Sequence, residues 1–248
     1  MSLFTRLLSD LTSGRRETAF PGELIPDELG IAYVGADLSV PTLIEAYVRG
    51  CYPYTGSEPI PWFSPDPRLV LFPNDFRASR RLRRLSRQNR FTVKFDTDFP
   101  EVMRGCASIS RKDQPGTWIT DNMITAYTEL FNLHIAHCVS VYTAEGTLCG
   151  GLYGLTFGRA FFGESMFSAA PNTSKLALYA LCRRLSAWRF DLIDCQEVTA
   201  HLMRLGAVPL TRREYLAQLH LTLQYPSRHI SWADPAIDPF TQPHGRTA

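Results

Sequence analysis

The stretch CVSVYTAEGTLCGGLYGLTFGRAFFGESMF, from Cys138 to Phe167, limits what this chain can fold into more than any other. Its short blocks of β-branched, aromatic and aliphatic residues, with a turn at Glu145-Gly146, have the pattern of an antiparallel meander. Thr173 to Trp188 then repeats apolar residues at helical spacing, turning Leu176, Leu178, Leu181 and Leu185 inward. DLIDCQ reads as the next strand, and HLMRLG and RREYLAQL as short helices. Strands, helix, strand and helix in that order predict an α+β fold, a mostly antiparallel sheet with packed helices.

Upstream, turn signals dominate. Ser39, Pro41 and Gly50 punctuate an amphipathic helix in PTLIEAYVRG, as N-cap, first-turn proline and terminator. The prolines Pro59, Pro61, Pro65 and Pro67 read as a connector, so a boundary is expected near Arg68. That gives a small N-terminal α/β domain over 1–68 and a larger domain over 69–248. In the larger one, RLVLFP and FTVKFD are expected strands, ITDNMITAYTELFNLHIAH an expected helix, and the tail from about Leu221 a loosely packed extension.

Charge narrows the function. The net charge is only +2, yet RASRRLRRLSRQNR, Arg77 to Arg90, holds seven arginines and no acid. On a helix, Arg80, Arg84 and Arg87 share a face while Leu82 and Leu85 turn inward. Solvated faces usually mix both signs, so an unbroken basic face points to a polyphosphate, nucleic acid first. Hydrophobic residues at 45% and charged residues at 20% are ordinary for a globular chain. Apolar runs too short for a bilayer, and an amino terminus without a signal peptide's core, suggest a soluble cytoplasmic protein. Six scattered cysteines without a CxxC pair suggest free thiols and neither a zinc ribbon nor a disulfide framework.

Three polar residues stand in apolar surroundings: Glu164 in FFGESMFS, and Asp194 and Gln196 in LIDCQ. Strand alternation puts Asp194 and Gln196 on one face, and adjacent strands would bring Glu164 into the same pocket. Each could also be satisfied by a backbone partner at a strand end. Partly desolvating unpaired carboxylates is costly, which favours a shared site.

WFSPDPR, GCAS followed by GTWIT, GGLYG, FFGESMFS, SKLAL, LIDCQ, LGA and RREYL occur in the order found in leucyl/phenylalanyl-tRNA–protein transferases, which the chain resembles from about Val34 to Leu219. The resemblance implies a GNAT-like catalytic domain that moves leucine, phenylalanine or methionine from aminoacyl-tRNA to proteins beginning with lysine or arginine. That addition would mark them for degradation by the N-degron pathway. It also implies a catalytic relay at Asp194 and Gln196, with Glu164 helping to hold the basic acceptor. The apolar donor pocket falls on Leu152, Phe161, Met166, Leu181, Leu185 and Ile193, and the aromatic residues near the terminal adenosine on Trp118 and Tyr54. The basic patch for the tRNA body falls on Arg80, Arg81, Arg83, Arg84 and Arg87. The chain departs from the family at Tyr54, commonly tryptophan, at Leu181 and Leu185, often phenylalanine, and at Thr199, usually asparagine.

Aminolysis of an activated ester calls for no metal or other cofactor, and a monomer would suffice. An acetyl-CoA-dependent GNAT enzyme is a rival reading, but no [QR]-x-x-G-x-[GA] pyrophosphate loop is found. A non-catalytic RNA-binding module is another, and it leaves Glu164, Asp194 and Gln196 without a role. Cys195 is expected on the face opposite Asp194 and Gln196, which argues against a cysteine nucleophile, and His134 and His137 read as helix-end residues.

Overall fold

The computed structural model describes residues 18–54, 58–88, 90–109, 117–233 and 240; the MSLFTRLLSD segment and most of the tail beyond Ala233 lie outside them. Its centre is a seven-stranded sheet of β4 (Arg68–Leu71), β5 (Phe91–Phe95), β6 (Ala136–Thr143), β7 (Leu148–Phe157), β8 (Ala160–Ser168), β9 (Leu192–Gln196) and β10 (Val208–Leu210). The strand order is β10-β4-β9-β8-β7-β6-β5. The expected meander is β6-β7-β8, with Gly146 at φ +83° in its first turn. All pairs are antiparallel except β8 and β9. A helix over Thr173–Ala187 supplies the crossover a parallel pair requires.

The helices, in chain order, are α1 (Val40–Val48), α2 (Arg80–Leu85), α3 (Phe99–Ala107), α4 (Asp121–Asn132), α5 (Thr173–Ala187), α6 (Ala200–Arg204) and α7 (Arg212–Leu223). The sheet separates two cores. Phe162 packs with α1, α3 and α4 on one face, while its neighbour Phe161 packs with α5 on the other. Close approach explains the paired glycines of β7, since a Cβ on Gly150 would lie 2.3 Å from Thr173 Oγ1 at the start of α5. Ahead of this body, β1 (Ile31–Val34), β3 (Pro61–Phe63) and β2 (Tyr52–Pro53) form a small antiparallel sheet. Its Trp62, with Leu43, Ile44 and Tyr47 of α1, belongs to the same core as Phe162.

Three expectations change. The helix expected through His137 stops at Asn132: His134 turns the chain at φ +55°, and His137 lies in β6 beside the long strand β7. His137 is a buried strand residue whose Nδ1 lies 2.9 Å from Asp96 Oδ2. An unexpected helix, α3, places Phe99, Val102, Met103 and Cys106 inward at helical spacing. The tail is tighter than expected at Trp232, which is 1% exposed, stacks on His137 at 3.8 Å between ring centroids, and packs beside Phe161 and Trp188. Its backbone N–H donates to Asp96 and its carbonyl accepts from Arg184 Nη1, so both backbone polar groups of this buried residue are satisfied.

Candidate active site

Strands β8 and β9 pair only as far as Phe162 opposite Asp194. Beyond that point β8 stays with β7, and β9 stays with β4, so the two diverge. Each diverging end carries a β-bulge. Opposite Tyr153 and Gly154, β8 advances from Ser165 to Gly163 and leaves Glu164 as the extra residue. Opposite Leu69 and Val70, β9 does the same at Cys195. Bulges re-aim side chains and so break the simple alternation of a strand.

Between the diverging ends lies a cavity of about 250 Å³. Five of the six expected pocket residues line it, namely Leu152, Phe161, Met166, Leu181 and Ile193. Leu185 does not; it is fully buried in the core behind α5. Leu178, read only as an inward helix residue, and Leu202 of α6 complete the apolar wall. Their signal was helical spacing for Leu178 and none for Leu202, whose short helix comes from a distant stretch of chain. At Gly163 a Cβ would meet nothing nearer than Asp194 O at 3.4 Å, so a side chain there would occupy cavity space.

Glu164 and Gln196 also line the cavity, side by side. Glu164 Oε1 accepts from Tyr47 Oη at 2.7 Å and from Gln196 Nε2 at 3.2 Å, and Oε2 accepts from Tyr127 Oη at 3.3 Å. The two phenol oxygens lie 2.5 Å apart. No cation touches this carboxyl among the described residues, and burial pushes it up to about 8 against the stabilising tyrosine hydrogen bonds. The same environment pushes both phenols upward, so they remain donors.

Asp194 has a different setting. It is wholly buried and absent from the cavity wall. Arg68 grips it with Nε to Oδ1 at 2.8 Å and Nη2 to Oδ2 at 2.6 Å, while Tyr215 Oη donates to Oδ2 at 2.8 Å. Its link to Gln196 is through that residue's backbone N–H, at 2.9 Å, and not the side-chain amide. The expectation that Asp194 and Gln196 share one face is corrected, because the Cys195 bulge and the φ of +64° at Gln196 turn the chain between them. Arg68, at the expected connector's end, was not foreseen as a partner; a basic residue entering a strand carries no sign of the acid it will meet.

Cys195 is corrected too, since it lines the cavity. Burial pushes its thiol upward, which leaves it protonated and a poor nucleophile. Trp118 and Tyr54 are brought together, stacked with centroids 5.7 Å apart and planes 16° apart. A base inserted between them needs two contacts of about 3.5 Å each, so it would stack on the outside of the pair or part it. Ser79 caps α2 by accepting from Leu82 N, Leu82 is buried, and Arg80, Arg81, Arg83, Arg84 and Arg87 are all exposed. Among the described residues no group of three or more His, Cys, Asp or Glu side chains could hold a metal ion, and no helix is long and apolar enough to cross a membrane.

The sequence matches the family "Leucyl/phenylalanyl-tRNA protein transferase" over residues 70–220 and that family's N-terminal domain over residues 36–66. A leucyl/phenylalanyl-tRNA–protein transferase from Azotobacter vinelandii is 51% identical over 199 residues, 80% of this chain and 87% of that protein. One from Solidesulfovibrio magneticus is 44% identical over 220 residues, 88% of this chain and 89% of that protein. Among solved structures, a GCN5-related N-acetyltransferase from Kribbella flavida matches at TM-score 0.36 and 12% identity, over 59% of this chain and 55% of that one. So loose a likeness adds nothing to the assignment.

Proposed function

Because the chain belongs to the leucyl/phenylalanyl-tRNA–protein transferase family, an aminoacyltransferase family acting from tRNA to protein, we infer that Glu164 and Gln196 serve the attacking amine at the wall of the donor cavity. In this reading the donor's leucine, phenylalanine or methionine side chain fills the cavity, and the acceptor is the α-amine of a protein beginning with lysine or arginine. The product enters the N-degron pathway of the cytoplasm. The enzyme acts as a monomer, and the chain divides near Arg68 into a small N-terminal domain and a catalytic one.

The observation that carries this reading is a buried carboxyl, tied to a glutamine amide, on the wall of a mainly apolar cavity. The amine nitrogen attacks the ester carbonyl carbon, the C–O bond to the ribose breaks, and the ribose oxygen leaves as a hydroxyl. One proton must therefore pass from amine to ribose oxygen. A free α-amine has a pKa of roughly 7.7 to 8.0, close to the value of about 8 for Glu164. Proton transfer between them is nearly balanced, which suits general acid–base catalysis. Gln196 spends its Nε2 on Glu164, and its Oε1 can accept a hydrogen bond from the amine and orient it.

The resemblance gives Glu164 the task of holding the basic acceptor side chain and gives Asp194 the relay. Its surroundings suit Glu164 better to proton transfer, and those of Asp194 suit it to positioning: fixed by Arg68 and Tyr215, it holds the backbone of Gln196. Flexible leucines at the cavity wall exclude by shape alone, at about 1 to 3 kcal/mol per methylene. Isoleucine and valine, branched at Cβ, should be poor donors.

The test is a transfer assay with labelled Leu-, Phe-, Met- and Ile-tRNA and peptides beginning with Lys, Arg or Ala. Transfer from the first three donors to Lys and Arg peptides is expected. Transfer to Ala peptides at the same efficiency would remove the acceptor specificity from this reading.

A further inference from the structure

A second concavity, of about 200 Å³, shares helices α5 and α6 with the donor cavity and is basic where the other is apolar. Arg77 and Arg81 come to it from one side, Lys175 from α5, and Arg204 from α6, with Ser79 and Asn172 between them. No acid lines it, and none of these four cations makes an ion pair among the described residues. Like charges gathered around a hollow repel one another unless an anion is there to share.

Its position gives the anion an identity. Helices α5 and α6 wall both hollows. α5 gives Leu178 and Leu181 to the donor cavity and Lys175 to the basic one. Lys175 and Leu178 are three apart, neighbours on the helix surface at about 5 to 6 Å between Cβ atoms. α6 likewise gives Leu202 to the first and Arg204 to the second. An aminoacyl group in the donor cavity is esterified to a terminal ribose, and the next group along that strand is a phosphodiester. Guanidinium forks match phosphate oxygens in pairs, and an ammonium, a hydroxyl and an amide can donate to those left over.

We propose that the hollow framed by Arg77, Arg81, Lys175 and Arg204 binds the first phosphodiesters behind the donor's terminal nucleoside and so sets the ester carbonyl at the mouth of the donor cavity. The proposal rests on the reading of that cavity as the aminoacyl site. It separates two basic regions: the exposed Arg80, Arg83 and Arg84 of α2 with Arg87 just past its end, and this hollow walled by α5 and α6. Arg81 belongs to both.

Donors of graded length test it. Leucyl-adenosine carries no phosphate, leucyl-cytidylyl-adenosine carries one phosphodiester, and Leu-tRNA carries the full strand. For the wild type, kcat/KM should rise about tenfold or more on adding the single phosphodiester, as one charge-assisted contact allows. In Lys175→Ala and Arg204→Ala that ratio should fall toward one, and Lys175→Arg should restore most of it. Arg204 is exposed and Lys175 half-buried, and unfolding midpoints near wild type would keep a folding defect out of the comparison. A ratio unchanged in both alanine variants, or a wild type that gains nothing from the phosphodiester, overturns the proposal while leaving the donor cavity intact. A wild type that transfers from none of the three donors overturns both.

Discussion

Glu164 and Asp194 lie on neighbouring strands of one sheet, both buried, and their surroundings differ in kind. Asp194 meets a guanidinium head-on and a phenol besides, so its charge is answered by a fixed opposite charge. Among the described residues Glu164 meets only neutral donors, two phenols and an amide. Hydrogen bonds without a counter-charge offset only part of the desolvation of a carboxylate, so Glu164 holds its proton to about pH 8. The difference teaches which acid can take part in chemistry. A paired carboxylate is fixed in place and position, whereas an unpaired one at a cavity wall can exchange a proton with whatever enters.

The comparison breaks most easily at Glu164. Glu164→Gln keeps the size and most hydrogen bonds but cannot carry the proton, so kcat should fall about 10²- to 10⁴-fold with little change in donor tRNA affinity. Near wild-type turnover would assign Glu164 a structural role. At Asp194 the large effect should be on stability. Asp194→Asn leaves Arg68 buried without its counter-charge, and removing one partner of a buried pair costs roughly 3 to 5 kcal/mol, read by denaturant or thermal unfolding. The double variant Arg68→Met/Asp194→Leu should recover much of that loss. A turnover loss in Asp194→Asn larger than its loss of folded protein would return Asp194 to the chemistry.

These two acids also show how far the sequence could be read. The sheet was legible because alternation, turn residues and helical spacing are local: β6 to β9, α5 and α7 fall where they were expected. The cavity wall at Leu152, Phe161, Met166, Leu181 and Ile193 was legible from the family resemblance, residue by residue, and not from periodicity. What local patterns cannot express is a bulge. One extra residue at Glu164 and one at Cys195 reverse the faces that alternation assigns, putting Cys195 into the cavity and Asp194 behind it. Nor can they express partners distant in the chain, such as Arg68, Tyr47, Tyr127 and Tyr215 around the two acids, or Trp232 behind Phe161.

Smaller changes sharpen the contrast. Tyr127→Phe removes one donor that favours the ionised Glu164, so the rising limb of kcat/KM against pH should move to higher pH, while stability drops by about 1 kcal/mol. An unmoved limb would detach the tyrosines from catalysis. Leu181→Phe narrows the apolar wall and should shift kcat/KM toward leucine over phenylalanine by about tenfold, within the range for a change of a methylene or two. An unchanged donor ratio would move the aminoacyl side chain out of this cavity.

The most direct measurement is the titration of Glu164 itself, by carboxyl-carbon NMR of labelled protein with Glu164→Gln identifying the signal. A midpoint near pH 8 is expected. Linkage gives the sign of its effect on folding. The folded value lies above the ordinary 4.5, so the contribution to stability is full below about 4.5 and is lost as pH rises through about 8. Wild type should therefore lose stability across that window relative to Glu164→Gln. A signal already ionised at pH 5 with parallel stability curves for the two proteins would contradict the account, leaving the distinction between the two acids without a basis.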